Sequence, residues 1–357
     1  MRGVLLTGFG GPEMLEYRED LPDPFPGPGE VLVRVGATAL NNTDIWTREG
    51  AYGSAEDPGS SAGWRREPLS FPRIQGADVA GCIDLVGEGV PTSRVGERVL
   101  VDPMLYRGGE RELVHTDYLG SERDGGFAEL VTVPAGNAHA VHSALSDAEL
   151  ATFPTAYSTA MRMLNRAALR PGETILVTGA SGGVGSALVQ LASARGADVV
   201  AVAGRAKHEQ VRALGARAVL DRATSQLGED VRGLVPGDGV DVVADVVAGG
   251  SFAELLNVLG PLGRYVVAGA IAGPLVQADL RTVYLNQLQL IGSSFGTHQD
   301  FTQVLAHLAT GQLRPLLAAT YPLHELRLAQ QHFVSKDFVG KLVVTPVPSA
   351  SRRCSPE

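Results

Sequence analysis

Cysteine is almost absent from this chain, with only Cys82 and Cys354 present. A disulfide framework or a cysteine-rich metal site needs more thiols than that, so neither is available. Basic runs are missing too, and acids outnumber bases to give a net charge of −9. Nucleic acid and anionic membrane surfaces select basic stripes, so a general affinity for either is excluded. No window is apolar enough to span a bilayer, and Met1-Arg2-Gly3-Val4-Leu5-Leu6 runs into a strand-like segment without a long apolar leader. The expectation is a cytoplasmic protein that acts on small molecules.

Glycine is plentiful, at 44 residues, and one cluster of it organises the chain. Ile175-Leu176-Val177 is a short apolar run suited to a buried parallel strand. Gly179, Gly182, Gly183 and Gly185 follow, and apolar residues then recur at Val184, Leu188 and Leu191 with helical spacing. Strand, tight turn and helix in that order aim backbone N–H groups and a helix dipole at one place, where a pyrophosphate can approach the main chain. Ser181, Gly182, Gly183 and Val184 are the candidate phosphate contacts. The spacing departs from Gly-x-Gly-x-x-Gly, because Ala180 holds the first glycine position and Gly179 comes one residue early. A second strand, Asp198 to Ala203, completes a βαβ unit and puts Gly204 where the ribose is read. Arg205 and Lys207 follow with no acid between them, and Arg222 comes after the third strand. An acidic residue there would select NAD, whereas cations suit a 2′-phosphate, so NADPH is the expected cofactor.

Pattern divides the chain in two. Residues 1–146 carry short strand-like runs separated by turn clusters, as a compact barrel would; the segment Ser54 to Arg66 reads as a mobile loop. From 147 to 317, helices alternate with six apolar strands, which predicts a doubly wound parallel sheet. Its fifth strand ends at Val267-Ala268-Gly269, and Phe295-Gly296 follows the sixth. These positions are placed to hold a nicotinamide, because ligands of such sheets lie at the carboxyl ends of the strands. The apolar strand Leu288 to Ser294 is a candidate edge for pairing two copies into a homodimer. Residues 318–346 are too short for a domain and are expected to complete the first one, and 347–357 to be disordered.

Gly27-Pro28-Gly29-Glu30-Val31, Gly76-Ala77-Asp78-Val79-Ala80-Gly81, Val86-Gly87-Glu88-Gly89-Val90, Gly96-Glu97-Arg98-Val99 and Asp124-Gly125-Gly126-Phe127-Ala128-Glu129, with the glycine turn, together resemble the medium-chain dehydrogenase/reductase family. The resemblance implies a GroES-like β-barrel catalytic domain around a Rossmann domain. It also exposes departures from the zinc alcohol dehydrogenases. Asn41 stands in place of the first cysteine ligand, Ala77 in place of the histidine and Thr155 in place of the last cysteine, and Asp102 to Glu122 lacks the four-cysteine lobe. The chain thus looks like the zinc-free quinone oxidoreductase and enoyl reductase branch, with no metal expected. Tyr118 to Phe127 is more similar to the zinc branch, which leaves the substrate class open.

Without a metal, charge developing on a substrate oxygen must meet hydrogen-bond donors, and those near the Asn41 turn are Asn41, Asn42, Thr43 and Tyr52. Glu49-Gly50-Ala51-Tyr52-Gly53 resembles the stretch that carries the tyrosine acid of enoyl thioester reductases. Tyr52 reads equally as an aromatic with a satisfied hydroxyl, Asn41 as a turn residue and Asp44 as a helix cap. The expected activity is NADPH-dependent reduction of an activated double bond or quinone; a zinc-free carbonyl reductase or alcohol dehydrogenase, and a non-catalytic NADPH-binding protein, remain as alternatives.

Overall fold

A computed structural model describes residues 1–53, 57, 59–224, 226–235 and 237–346. Residues 54–56 and 58, at the start of the expected mobile loop, and the expected disordered tail, 347–357, lie outside the described residues. The chain divides into two compact units, one made of Met1–Thr155 with the segment from Pro315 onward, the other of Ala156–Arg314.

The first unit is built on a seven-stranded sheet. Its strands run in the order Ala138–Ala140, Arg98–Val101, Asp78–Val86, Glu30–Ala39, Lys341–Thr345 and Leu317–Pro322, with Leu130–Pro134 also pairing to Glu30–Ala39. Val31, Val33, Val35, Val79, Ile83, Val99 and Val133 pack into one core, as β-branched residues with one inward face do. The position of the last segment decides the site. Lys341–Thr345 lies antiparallel to Glu30–Ala39, with Val343 opposite Ala39 and Val344 opposite Thr38. Leu40 N–H donates to Leu342 O at 2.9 Å, which continues that register and brings Lys341 opposite Asn41. Across the other edge of Glu30–Ala39, Ala39 faces Asp78. Three residues far apart in sequence are therefore neighbours through strand register alone. Leu317–Pro322 was not evident as a strand from sequence. Cys82, on Asp78–Val86, is buried; the chain's other cysteine, Cys354, lies outside the described residues.

The second unit carries six parallel strands in the order Ala218–Asp221, Asp198–Ala203, Thr174–Val177, Val240–Asp245, Leu259–Val267 and Gln289–Gly292. All four residues of Thr174–Val177 are buried, as expected for a central strand covered on both faces. The strand order reverses beside Thr174–Val177, and a ligand crevice opens at the carboxyl ends at such a reversal. The helix expected from Ser158 to Ala168 spans Pro154–Arg166, and Gly183–Ala194 follows the glycine turn. Gly185 is needed there for packing, since a Cβ on it would lie 2.2 Å from the carbonyl oxygen of Gly179. No helix among the described residues is long and apolar enough to cross a membrane.

Candidate active site

The second unit gathers the anticipated cofactor residues on the carboxyl edge of its sheet. Gly182 is the N-cap of Gly183–Ala194 and no side chain caps that helix, so its first N–H groups remain available to an anion. Beside the second strand, a Cβ on Gly204 would come within 3.6 Å of Arg222 Nε, so the Arg222 guanidinium lies over Gly204. Arg205 is 86% exposed in its side chain and pairs with Asp221, Nε to Oδ2 at 3.0 Å. That carboxylate, at the end of the third strand, was missed in the sequence, where only the second strand's end was searched for an acid. Backbone donation from Ala223 and the nearby Arg205 hold the Asp221 carboxyl below its usual range.

Further along the same edge, Ala268 N–H donates to Asp245 O at 3.1 Å and Ser293 N–H to Val267 O at 2.8 Å. Gly269 and Gly296 are both close-packed, against Val246 and Ser158 respectively, and Phe295 adopts a positive φ of 42°. Behind them lies a network the sequence did not reveal. Asp245, fully buried, accepts from Thr178 Oγ1 at 2.5 Å and from the N–H groups of Val247 and Ala248 at 2.8 and 3.1 Å. Tyr265 donates to its other oxygen. The burial and this carboxylate push the Tyr265 hydroxyl well above its ordinary pKa, so it remains a donor. The network pins the loop after the fourth strand to the glycine turn.

In the first unit, Asn41 does not form an isolated turn but opens the helix Asn42–Glu49. Asp44 caps it, accepting the Asn41 N–H at 2.7 Å. Burial, opposed by that N–H bond, raises the Asp44 carboxyl to about 7, and Asp78 adds to the rise. Tyr52 donates its hydroxyl to Thr43 Oγ1 at 3.0 Å and packs edge-on against Trp46. Burial lifts Tyr52 to about 12 despite the Thr43 bond, so at neutral pH it keeps its proton. Because Thr43 Oγ1 accepts from Tyr52, the Thr43 hydroxyl has its own proton to give.

The remaining candidates meet around a residue that was not anticipated. Lys341, 3% exposed, donates to Asp78 Oδ2 at 2.8 Å and to Asn41 Oδ1 at 2.5 Å. Asp78 Oδ1 accepts from Thr155, from its N–H at 2.9 Å and its hydroxyl at 2.5 Å. Tyr118 lies 2.9 Å from Thr155 Oγ1. A carboxylate only accepts, so Thr155 gives its proton to Asp78 and takes one from Tyr118. Burial, then Asp78 and Asp44, raises the Tyr118 hydroxyl well above its ordinary value. A lysine at the head of the apolar run Lys341-Leu342-Val343-Val344 was the available signal, since a fully buried lysine requires a partner.

These residues do not fit a zinc ion. The three positions that match the ligands of the zinc enzymes offer an amide, a methyl group and a hydroxyl, and a lysine ammonium is bonded to the first of them. Zinc requires about three N, S or O ligands around a cation-free centre. Among the described residues, no group of three His, Cys, Asp or Glu is placed to hold a metal.

Comparison with known proteins agrees with this architecture. Residues 27–143 match the alcohol dehydrogenase GroES-like domain and residues 183–310 the zinc-binding dehydrogenase domain. A solved structure of a Sinorhizobium meliloti 1021 protein, proposed to be an alcohol dehydrogenase, superposes with a TM-score of 0.94 at 53% identity over 97% of each chain. An acryloyl-coenzyme A reductase of Metallosphaera sedula is 32% identical over 97% of this chain and 100% of its own. An NAD-dependent alcohol dehydrogenase of Sulfurisphaera tokodaii is 30% identical over 97% and 100%, and a human quinone oxidoreductase 28% over 96% and 97%. With a GroES-like unit, a doubly wound nucleotide-binding unit and this likeness along nearly its whole length, the chain belongs to the medium-chain dehydrogenase/reductase family.

Proposed function

We propose that the chain is an NADPH-dependent, zinc-independent reductase of activated double bonds or quinones. The observation that carries this reading is the Lys341 ammonium, tied to Asp78 and Asn41 where the zinc enzymes place their metal. Reduction of a simple carbonyl puts a full alkoxide charge on one oxygen and calls for a strong electrophile. Reduction of an enone or quinone spreads that charge by conjugation, and a few fixed donors suffice. Bound NADPH would supply the hydride. Ser181, Gly182, Gly183 and Val184 would hold its pyrophosphate, Gly204, Arg205, Lys207 and Arg222 its ribose phosphate, and Val267, Ala268, Gly269, Phe295 and Gly296 its nicotinamide. The Asn41 amide and the Thr43 hydroxyl would receive the substrate oxygen, and Tyr52 would replace the proton that Thr43 gives up. The alcohol dehydrogenase reading is favoured by the 53% identical neighbour, and a screen of alcohols beside enones separates the two. We further propose a cytoplasmic homodimer.

Three outcomes test the proposal. NADPH is expected to bind more tightly than NADH, and Arg222→Ala to weaken NADPH binding by about tenfold or more, as loss of a charge-assisted bond does, while leaving NADH unchanged; comparable affinities for the two cofactors, measured by fluorescence titration, would contradict the assignment. Tyr52→Phe keeps the ring and removes the proton. Losing such a donor costs about 2.7–4 kcal/mol, or two to three orders of magnitude in turnover, so a Tyr52→Phe enzyme within a factor of about two of the parent would remove Tyr52 from the mechanism.

The third concerns assembly. Gln289–Gly292 pairs on one side only, and Leu290, Leu280, Tyr284 and Leu285 beside it are 48–70% exposed. An apolar open edge invites a second copy. Light scattering should give a dimer mass that Leu290→Asp reduces to that of a monomer; a monomeric parent would rule the edge out.

A further inference from the structure

The proposed reaction makes no direct use of Lys341, yet this side chain has specific partners. An ammonium only donates, and one of its bonds goes to Asp78 Oδ2, the other to Asn41 Oδ1. An asparagine amide has an accepting end and a donating end, and its partners decide which end faces where. With Lys341 on Oδ1 the amide cannot turn over, because the reversed form would set N–H donors against an ammonium. The Nδ2 group is thereby left as the unengaged donor. Among the described residues it has no hydrogen-bond partner, and it is buried in a side chain 7% exposed.

Local structure accounts for this arrangement only in part. Asparagine at a helix N-cap ordinarily gives its oxygen to the helix's own N–H groups. Asn41 and Asp44 form a capping box in which Asp44 accepts the Asn41 N–H, but the Asn41 side chain makes no full cap hydrogen bond of its own. A buried donor with no partner is costly to maintain and calls for an explanation. We infer that Lys341 is a positioning residue: by holding Asn41 Oδ1 it keeps the Asn41 Nδ2 hydrogens unspent, as the donor for the oxygen of a conjugated carbonyl or quinone. The inference rests on the reductase reading above. Asp78, fixed by Thr155, in turn holds Lys341 in place.

Asn41→Asp separates this role from a purely structural one. It preserves size and gives Lys341 a second carboxylate to bond, so the fold is retained, while the donor becomes an acceptor. Turnover of cyclohex-2-enone or 1,4-benzoquinone should fall by roughly a hundredfold or more, with NADPH affinity within about twofold of the parent and no lowering of the melting temperature. Parent-like turnover would overturn the inference. A second variant combines Lys341→Met with Asp78→Asn, which removes both charges and leaves neither buried alone. In protein labelled with 15N-asparagine, the side-chain amide pair of Asn41, identified by its loss in Asn41→Asp, should shift or broaden in this double variant. An unchanged pair would show that Lys341 does not hold Asn41. Because the amide signal is read without substrate, it decides the positioning role even if the parent reduces no enone or quinone, a result that would defeat only the reductase reading.

Discussion

The ion pair between Lys341 and Asp78 is the interaction on which the catalytic half of the molecule depends. Both groups are almost fully buried, and two charges taken out of water repay that cost only when the surrounding hydrogen bonds are complete. Here they are supplied by Asn41 on the lysine side and by Thr155, backed by Tyr118, on the aspartate side. Removing one partner of such a pair costs about 3–5 kcal/mol, because the other charge is left uncompensated. The pair therefore locks three segments together, from the first third of the chain, the end of the first unit and the final strand. In the same stroke it places the lysine beside the Asn41 amide.

A comparable device organises the cofactor half. Asp245 is a buried carboxylate whose acceptor sites are filled by Thr178, Tyr265 and two backbone N–H groups. It joins the glycine turn to the loop after the fourth strand, so the backbone proposed to meet a dinucleotide is held from behind. In both units the residues offered to a ligand are set by buried polar groups one layer further in, and such support is what gives a site its precision.

Much of the second unit was legible in the sequence. Parallel strands are buried on both faces and read as continuous apolar runs, so all six could be found, and the glycine turn marked the start of the helix that follows the first of them. The Asn41, Ala77 and Thr155 positions were legible because the surrounding motifs fixed their alignment. The ammonium between them was not. Lys341 is 300 positions from Asn41 and 263 from Asp78, and only the register of Lys341–Thr345 against Glu30–Ala39 brings them together. The Arg205 pair with Asp221 was missed for a related reason, since adjacent parallel strands juxtapose their ends across 16 residues. Local pattern identifies elements, whereas charge partners are assigned by sheet geometry.

The central claim is that hydrogen-bond donors held in place by a buried ion pair, without a zinc ion, serve the proposed reduction. Its most direct test is elemental analysis of the purified protein together with turnover after prolonged treatment with a strong chelator. The account predicts no stoichiometric zinc and undiminished NADPH-dependent reduction. One tightly held zinc per chain, or activity lost in chelator and restored by added zinc, would contradict it.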